Sequence, residues 1–328
     1  MAASEYNIKI NNFKTPPFLF VPFILLTLFL TSCSLLDKAD TSRRKNNLET
    51  KEVPFQARVG DDLRKRIVVL PFLDTEIQRP QAVTDLARRV VVEELTNTRQ
   101  FVVVNTSDIP QDVSSFVREN KEYDMVALSR IASNLGIAAV VEGKILDIRA
   151  KRMGDSIGLF RKIKAMVEVD VQIRVYGAKS GKEIYNVVRR AKVEDEITRV
   201  GESVASDQSL REDPTLVRAG VKAAVEQTVG GIVKATEKLS WEGRIALVRG
   251  DRIYVNAGRV SGLQVGDILK ISEDGEEVFD PETGSFLGLA PGRMKGTVEL
   301  INYYGTDGAV GIVHSGSGFK ENDRVELY

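Results

Sequence analysis

Val167-Glu168-Val169-Asp170-Val171-Gln172-Ile173-Arg174-Val175-Tyr176 decides the fold class of this chain. The apolar residues at 167, 169, 171, 173 and 175 alternate with charged or polar ones. That period of two is the mark of a strand with one buried and one solvated face. Gly177-Ala178-Lys179-Ser180-Gly181 reads as a turn, and Glu183 to Val193 returns as a further strand. Polar residues 198–213 read as a loop, and Asp213-Pro214 then offers a helix N-cap followed by proline at the first helical position. The helix it opens is expected to run to about Leu239, with Val217, Val221, Val225, Ile232 and Val233 on its inner side.

Upstream, Arg66-Ile67-Val68-Val69-Leu70-Pro71-Phe72 is continuously apolar and β-branched after its first residue, as expected of a strand buried on both faces. A loop, Asp74 to Gln81, leads to a helix over Ala82 to Thr96. Phe101 to Val104 is a second buried strand. Tyr123 to Leu135 has helical spacing, and Gly136 stops it at C′. Ala138 to Ile145 is a third strand. Strands covered by helices make an α+β layer domain, assigned to 65–240.

Beyond Ser240 the helical period vanishes. Short strands are expected at Arg244–Val248, Arg252–Asn256, Asp267–Ile271, Met294–Ile301, Ala309–Val313 and Arg324–Leu327, separated by Gly-rich turns. This is a small all-β barrel or sandwich over 241–328. Gly250-Asp251-Arg252-Ile253 and Gly266-Asp267-Ile268-Leu269 echo each other as turn-then-strand. Asp280-Pro281-Glu282-Thr283-Gly284 lacks the alternating ligands of a calcium loop and reads as a turn.

The N-terminal segment is of another kind. Lys9 and Lys14 precede Phe18 to Leu30, almost wholly aliphatic and aromatic, and Leu30-Thr31-Ser32-Cys33 closes it. Basic lead, short apolar run and small residues before a cut are the parts of a secretory signal. The apolar run falls short of the roughly 20 residues a spanning helix needs. Leu30, Thr31, Ser32 and Cys33 resemble the bacterial lipobox, in which the cysteine becomes the first mature residue and carries lipid on its sulfur. Cys33 is the sole cysteine, so an intramolecular disulfide is excluded. The expected layout is a signal over 1–32, a polar flexible tether over 33–64, then the two domains. By the same resemblance, Ser34 after the cysteine implies delivery to the outer membrane of a Gram-negative-type bacterium.

Composition narrows the chemistry. Lys+Arg and Asp+Glu are both 46. Removing Lys9, Lys14 and Glu5 with the signal leaves the mature chain one unit negative, with no general attraction to nucleic acid. The sole histidine, His314, lies in a Gly/Ser-rich stretch read as a surface loop, so serine–histidine and clustered-histidine sites lack their parts. There is no Walker-type phosphate loop and no G-x-G-x-x-G between strand and helix. The expectation is a non-enzymatic protein with no catalytic residues, no metal and no cofactor.

Residues 66–72, the following helix, Phe101–Val104 and Leu135-Gly136-Ile137-Ala138-Ala139-Val140-Val141-Glu142-Gly143 resemble the CsgG/HfaB family of outer-membrane lipoproteins, which serve curli secretion and holdfast anchoring. The likeness extends through Val171 to Ile184. The family's fold is shared with the TolB N-terminal domain and with LpoB-like activators of peptidoglycan synthases. Gly258, Gly262-Leu263, Gly266-Asp267 and 280–284 look like the C-terminal domain of FlgT, a flagellar basal-body protein. The resemblance implies a lipid-anchored, periplasm-facing assembly or secretion component with envelope-protein partners and a homo-oligomeric ring. A CsgG-type channel, an LpoB-like activator and a flagellar accessory protein are the alternatives. Channel hairpins would fall at Ala150–Ala165 and Asp195–Asp213. The first carries Lys151-Arg152 and Arg161-Lys162, each pair setting one charge toward lipid at about 2–4 kcal/mol near the midplane. The second is largely polar and acidic, and the loop at 74–81 lacks the constriction residues. The pore therefore does not carry over; Lys151, Arg152, Arg161, Lys162 and Lys164 read as a solvated hairpin or a contact for anionic headgroups.

Overall fold

A computed structural model describes residues 63–75, 79–154, 163–197 and 214–328, all within one compact unit. The lipobox, the tether up to residue 62, and most of the second hairpin segment lie outside the described residues.

The first lobe is a mixed sheet in the order β3-β1-β4-β5-β6, with the short β2 (Leu73–Asp74) beside β4. β1 (Lys65–Val69) lies parallel to β3 (Phe101–Val104) and to β4 (Ala139–Gly154). β4, β5 (Ile163–Gly177) and β6 (Glu183–Ile197) then run antiparallel. β1 is apolar from Ile67 onward because both its faces are covered there. Ile67 and Val69 join the core under α1 (Gln81–Asn97) and α3 (Pro214–Glu237). Val68 and Leu70 join a second core with α2 (Met125–Asn134) and the irregular segment before it. In β5 the alternation holds residue by residue: Val167, Val169, Val171, Ile173 and Val175 are all buried in the α1/α3 core.

α3 sits unusually close to the sheet. A Cβ on Gly220 would come within 2.6 Å of Val169, and one on Gly231 within 2.4 Å of the Tyr185 hydroxyl. Glu93–Arg218 and Glu94–Lys222 pairs join α1 to α3. α2 starts on Asp124, whose carboxylate accepts the Ala127 N–H at 3.1 Å. It ends as expected at Gly136, φ +71°, with Ile137 N–H bonded to Ala132 O and Gly136 N–H to Ser133 O. Those two bonds are the Schellman pattern.

The third strand corrects the expected boundary. Ala138–Ile145 and the start of the first hairpin segment form one strand, Ala139–Gly154, broken by a bulge between Ile145 and Asp147. The bulge resets the alternation, so Ile145, Ile148 and Ala150 share the core side; a period-2 reading stops where the register slips.

The second lobe is a closed barrel, β12-β13-β8-β7-β14-β9, so it is a barrel rather than a sandwich. Its strands are β7 (Gly243–Arg249), β8 (Arg252–Val255), β9 (Ile268–Ser272), β12 (Met294–Tyr304), β13 (Gly308–Gly316) and β14 (Arg324–Leu327), one for each expected strand. His314 corrects the loop reading: it lies within β13, exposed, its Nδ1 3.2 Å from the Thr297 hydroxyl oxygen. A two-stranded hairpin, β10 (Glu277–Phe279) and β11 (Phe286–Leu289), is an addition to the expected elements. Its turn is 280–284, where the Asp280 carboxylate accepts the N–H groups of Glu282 and Thr283.

Candidate functional site

The predicted site residues Leu30, Thr31, Ser32 and Cys33 lie outside the described residues, as do Arg161 and Lys162 of the basic cluster. Lys151 is exposed on β4. Within the described residues the charged chemistry gathers elsewhere, at the junction of the two lobes.

The junction is built on the C-terminal end of α2. A helix end presents carbonyls without intrahelical partners and a partial negative charge, so cations belong there. Arg66, on β1, donates to Leu135 O at 3.4 Å and to Asn256 O at 3.1 Å. Asn256, just after β8, donates its side-chain amide to Leu135 O at 3.2 Å. Arg244, on β7, donates to Ser133 O at 2.6 Å and to Asn322 O at 3.0 Å, and pairs with Asp274 at 2.5 Å. Only 2% of Arg244 is exposed. Gly136 makes this approach available, because its missing side chain would lie 3.3 Å from the Arg244 Cγ. Burial lowers the Arg66 pKa, while the charges of Asp307 and Asp108 act against the shift.

From Arg244 the pairs continue across the barrel end. Arg324 bonds Asp274 at 3.1 Å and Glu242 at 3.3 Å, and Glu242 pairs with Lys179 of the 177–181 turn at 3.0 Å. The β10–β11 hairpin adds a separate fastening: Arg130 of α2 pairs with Glu277 at 2.8 Å and stacks over the Phe286 ring. Phe286 also packs edge-on against Phe279. Charged links with shared partners, Arg244 the most buried of them, fasten the two lobes together.

Beside this junction is a half-open cleft of about 340 Å³, walled by the end of α2, the 177–181 turn, the linker 238–240 and β11. Its size lies at the lower end of small-molecule sites. Ser133 lines it, 4% exposed, with a hydroxyl that has no hydrogen-bond partner; one helical turn earlier the Ser129 hydroxyl is also buried and unpartnered. None of these residues stands out in the sequence. The available signal is Arg244 itself, a charge in the first buried positions of a barrel strand, where an apolar residue is the norm.

The open face of β4–β6 carries a second network. Asp170 accepts from Arg190 at 2.7 and 2.8 Å and from Arg149 at 2.9 Å, and these bonds hold its carboxyl below the usual range. Glu142, 1% exposed, pairs with Arg174 at 2.9 Å; burial outweighs that partner and pushes its pKa up.

No protein-family model matches this sequence, and no curated protein does. Solved structures are similar over part of it. The CT253 protein of Chlamydia trachomatis is 12% identical over 53% of this chain and 98% of its own, with a TM-score of 0.33. Lipoprotein GNA1162 of Neisseria meningitidis is 13% identical over 51% of this chain and 99% of its own, TM-score 0.28. The C-terminal domain of LpoB from Salmonella enterica is 11% identical over 39% of this chain and 82% of its own, TM-score 0.26.

Proposed function

We propose that this chain is a lipid-anchored envelope protein without enzymatic activity, whose two-lobed body is a rigid adaptor in an assembly or secretion apparatus. The observation that carries the reading is Cys33: the chain's one cysteine stands at the end of an apolar run, in a Leu-Thr-Ser-Cys sequence. An acylated cysteine holds a protein at a membrane stably when more than one chain is attached. Ser34 favours the outer membrane, with the body facing the periplasm. The lobe junction supports the adaptor part. Its arginines are consumed in holding the lobes together, which suits a body that presents surfaces at a fixed spacing rather than one that closes on a substrate.

The finer reading is a CsgG-family-like component, and among its described side chains the sheet lobe presents no free apolar face to lipid. The apolar side of β4 and β5 is buried in the core they share with α1 and α3, and the other side of β4–β6 carries Arg149, Glu168, Asp170 and Arg190. The adaptor therefore stands on the membrane through its lipid.

Mass spectrometry of the N-terminal peptide, with fractionation of wild type and Cys33→Ala, tests the anchor. The expected result is a diacylglyceryl-modified Cys33 in the wild type and loss of the lipid with retention of the uncut apolar run in the variant. An unmodified Cys33 overturns the reading. Negative-stain imaging of the detergent-extracted protein tests the adaptor: particles without a central opening are expected, and rings that conduct ions after reconstitution refute it in favour of a channel.

A further inference from the structure

We infer that Lys295 and Asp323 are the two ends of an amide cross-link that the barrel lobe forms by itself, an inference that goes beyond the adaptor reading and rests neither on the lipid anchor nor on a partner.

The strand register gathers the groups. Ser272 of β9 lies opposite Met294 of β12 on one side and Arg324 of β14 on the other. Glu273, Lys295 and Asp323 adjoin those residues in the chain. Lys295 Nζ is 2.7 Å from Asp323 Oδ1 and 2.8 Å from Oδ2. Near-equal distances set the nitrogen on the bisector of the carboxylate, about 3 Å from its carbon, within the near-attack range of about 3–3.5 Å. The lysine side chain is 6% exposed and the aspartate 8%. A pair of charges so withdrawn from water has lost hydration that their attraction need not repay, whereas an amide has no charge to desolvate.

Three further features hold the pair for reaction. In the pairing of β12 with β9, Met294 faces Ser272 and Gly296 faces Ile271, so Lys295 is the extra residue of a bulge. Bulges re-aim side chains and recur beside reactive sites. Its backbone is clamped as well, because a Cβ on Gly296 would lie 2.0 Å from Ser315 O, and one on Gly316 2.0 Å from Lys295 O. Second, Asp323 Oδ2 accepts the Lys320 N–H at 2.7 Å. Attack on the carboxyl carbon gathers negative charge on that oxygen, so the N–H stands where an oxyanion donor belongs. Third, Glu273 Oε1 is 3.7 Å from the same Nζ and serves as the proton carrier.

The step balances within these groups. Lys295 gives one proton to Asp323 Oδ1, leaving an amine and a carboxylic acid. The amine lone pair forms the Nζ–Cγ bond. Glu273 takes a second proton from the nitrogen and passes it to Oδ1, and the Cγ–Oδ1 bond breaks as water leaves. An ammonium and a carboxylate become an amide and one water, with no co-reactant. The bond ties β12 to the strand that closes the barrel, in a chain whose one cysteine, Cys33, has no second cysteine to pair with.

Tryptic mass mapping of the full chain, purified in detergent and then denatured, tests the bond. Trypsin does not cut after an acylated lysine. The expected product is peptide 294–320, uncut at Lys295 and joined to 321–324 with the loss of one water. Fragment ions ending at Lys320 distinguish it from an uncut linear 294–324. Asp323→Ala is expected to abolish the joined peptide. Glu273→Gln is expected to reduce it more than tenfold while leaving the emission of Trp241, in the barrel core, unchanged. The wild-type digest decides the bond without any variant: free Met294-Lys295 and 321–324 with no joined peptide overturn the inference. A joined peptide at the wild-type level in Glu273→Gln overturns the mechanism by which it forms. Neither outcome touches the modification of Cys33, so the two readings fail separately.

Discussion

Replacing Arg244 by alanine removes the centre of the lobe junction, and its effect is calculable from what the guanidinium holds. It makes three hydrogen bonds, to Asp274, Ser133 O and Asn322 O, at 2.5–3.0 Å. Hydrogen bonds to charged groups contribute about 1.5–3 kcal/mol each, but the three share one desolvated cation and do not add. Asp274 keeps Arg324 at 3.1 Å, which limits the penalty on its carboxylate. Breaking a buried pair by removing one member costs about 3–5 kcal/mol, and that is the expected loss here. Trp241, the chain's one tryptophan, is 7% exposed in the core of the barrel lobe, so its fluorescence reports that lobe. In urea, fluorescence and far-ultraviolet circular dichroism are expected to give coincident transitions for the wild type, as two-state unfolding requires. Arg244→Ala is expected to bring the fluorescence transition forward by the equivalent of about 3–5 kcal/mol and to separate it from the dichroism transition. Arg244→Lys should fall between, because a point charge cannot span three acceptors as a guanidinium does. A shift below about 1 kcal/mol with transitions still coincident would refute the claim that this arginine couples the lobes.

Two further substitutions probe the sheet lobe. Gly143→Ala places a Cβ 2.0 Å from the Phe72 ring, an overlap the ring cannot leave without vacating the core; a loss of about 1–3 kcal/mol in denaturant stability is expected. Phe72→Leu in the same chain should recover part of it, and no effect of Gly143→Ala would show that the ring packs elsewhere. Asp170→Asn tests the network on the open face. Because Arg190 and Arg149 depress the folded-state pKa, Asp170 stabilises the fold above its unfolded value near 3.9 and loses that contribution as pH falls through the lower folded value. The stability gap between wild type and Asp170→Asn should therefore be full at pH 7 and shrink below about pH 4. A gap independent of pH would exclude the carboxylate as its origin.

Much of this fold was legible because single residues declare their environment. β1 is apolar on both faces, and both faces meet helices. Gly136 announces the end of α2, and Pro214 the start of α3. β5 keeps a strict alternation and needs no context. What escaped was non-local or irregular. The length of β4 is hidden by its bulge, after which the apolar residues fall on the other parity. β10 is three residues long with no buried residue, so no burial pattern marks it. The junction joins residues 66, 133, 244, 274 and 324, far apart in the chain, and apart from the charge of Arg244 at the head of a barrel strand nothing local marks them. The cleft depends on the same long-range assembly. Ser133 declares itself only once its hydroxyl is seen to be buried and unbonded.

The position of β14 sets an order of events. This last strand lies between β7 and β9, pairing with both, so the barrel stays open along two edges until residues 324–327 are in place. Contacts between distant residues form slowly because the chain entropy is lost before the contact rewards it. During synthesis, which delivers the chain from its N-terminal end, the sheet lobe can collapse while the barrel remains an incomplete set of strands. Arg324 arrives with the closing strand and ties together Asp274 and Glu242. Closing the barrel is thus a late step, and the interval before it exposes two unpaired strand edges that a chaperone would have to shield.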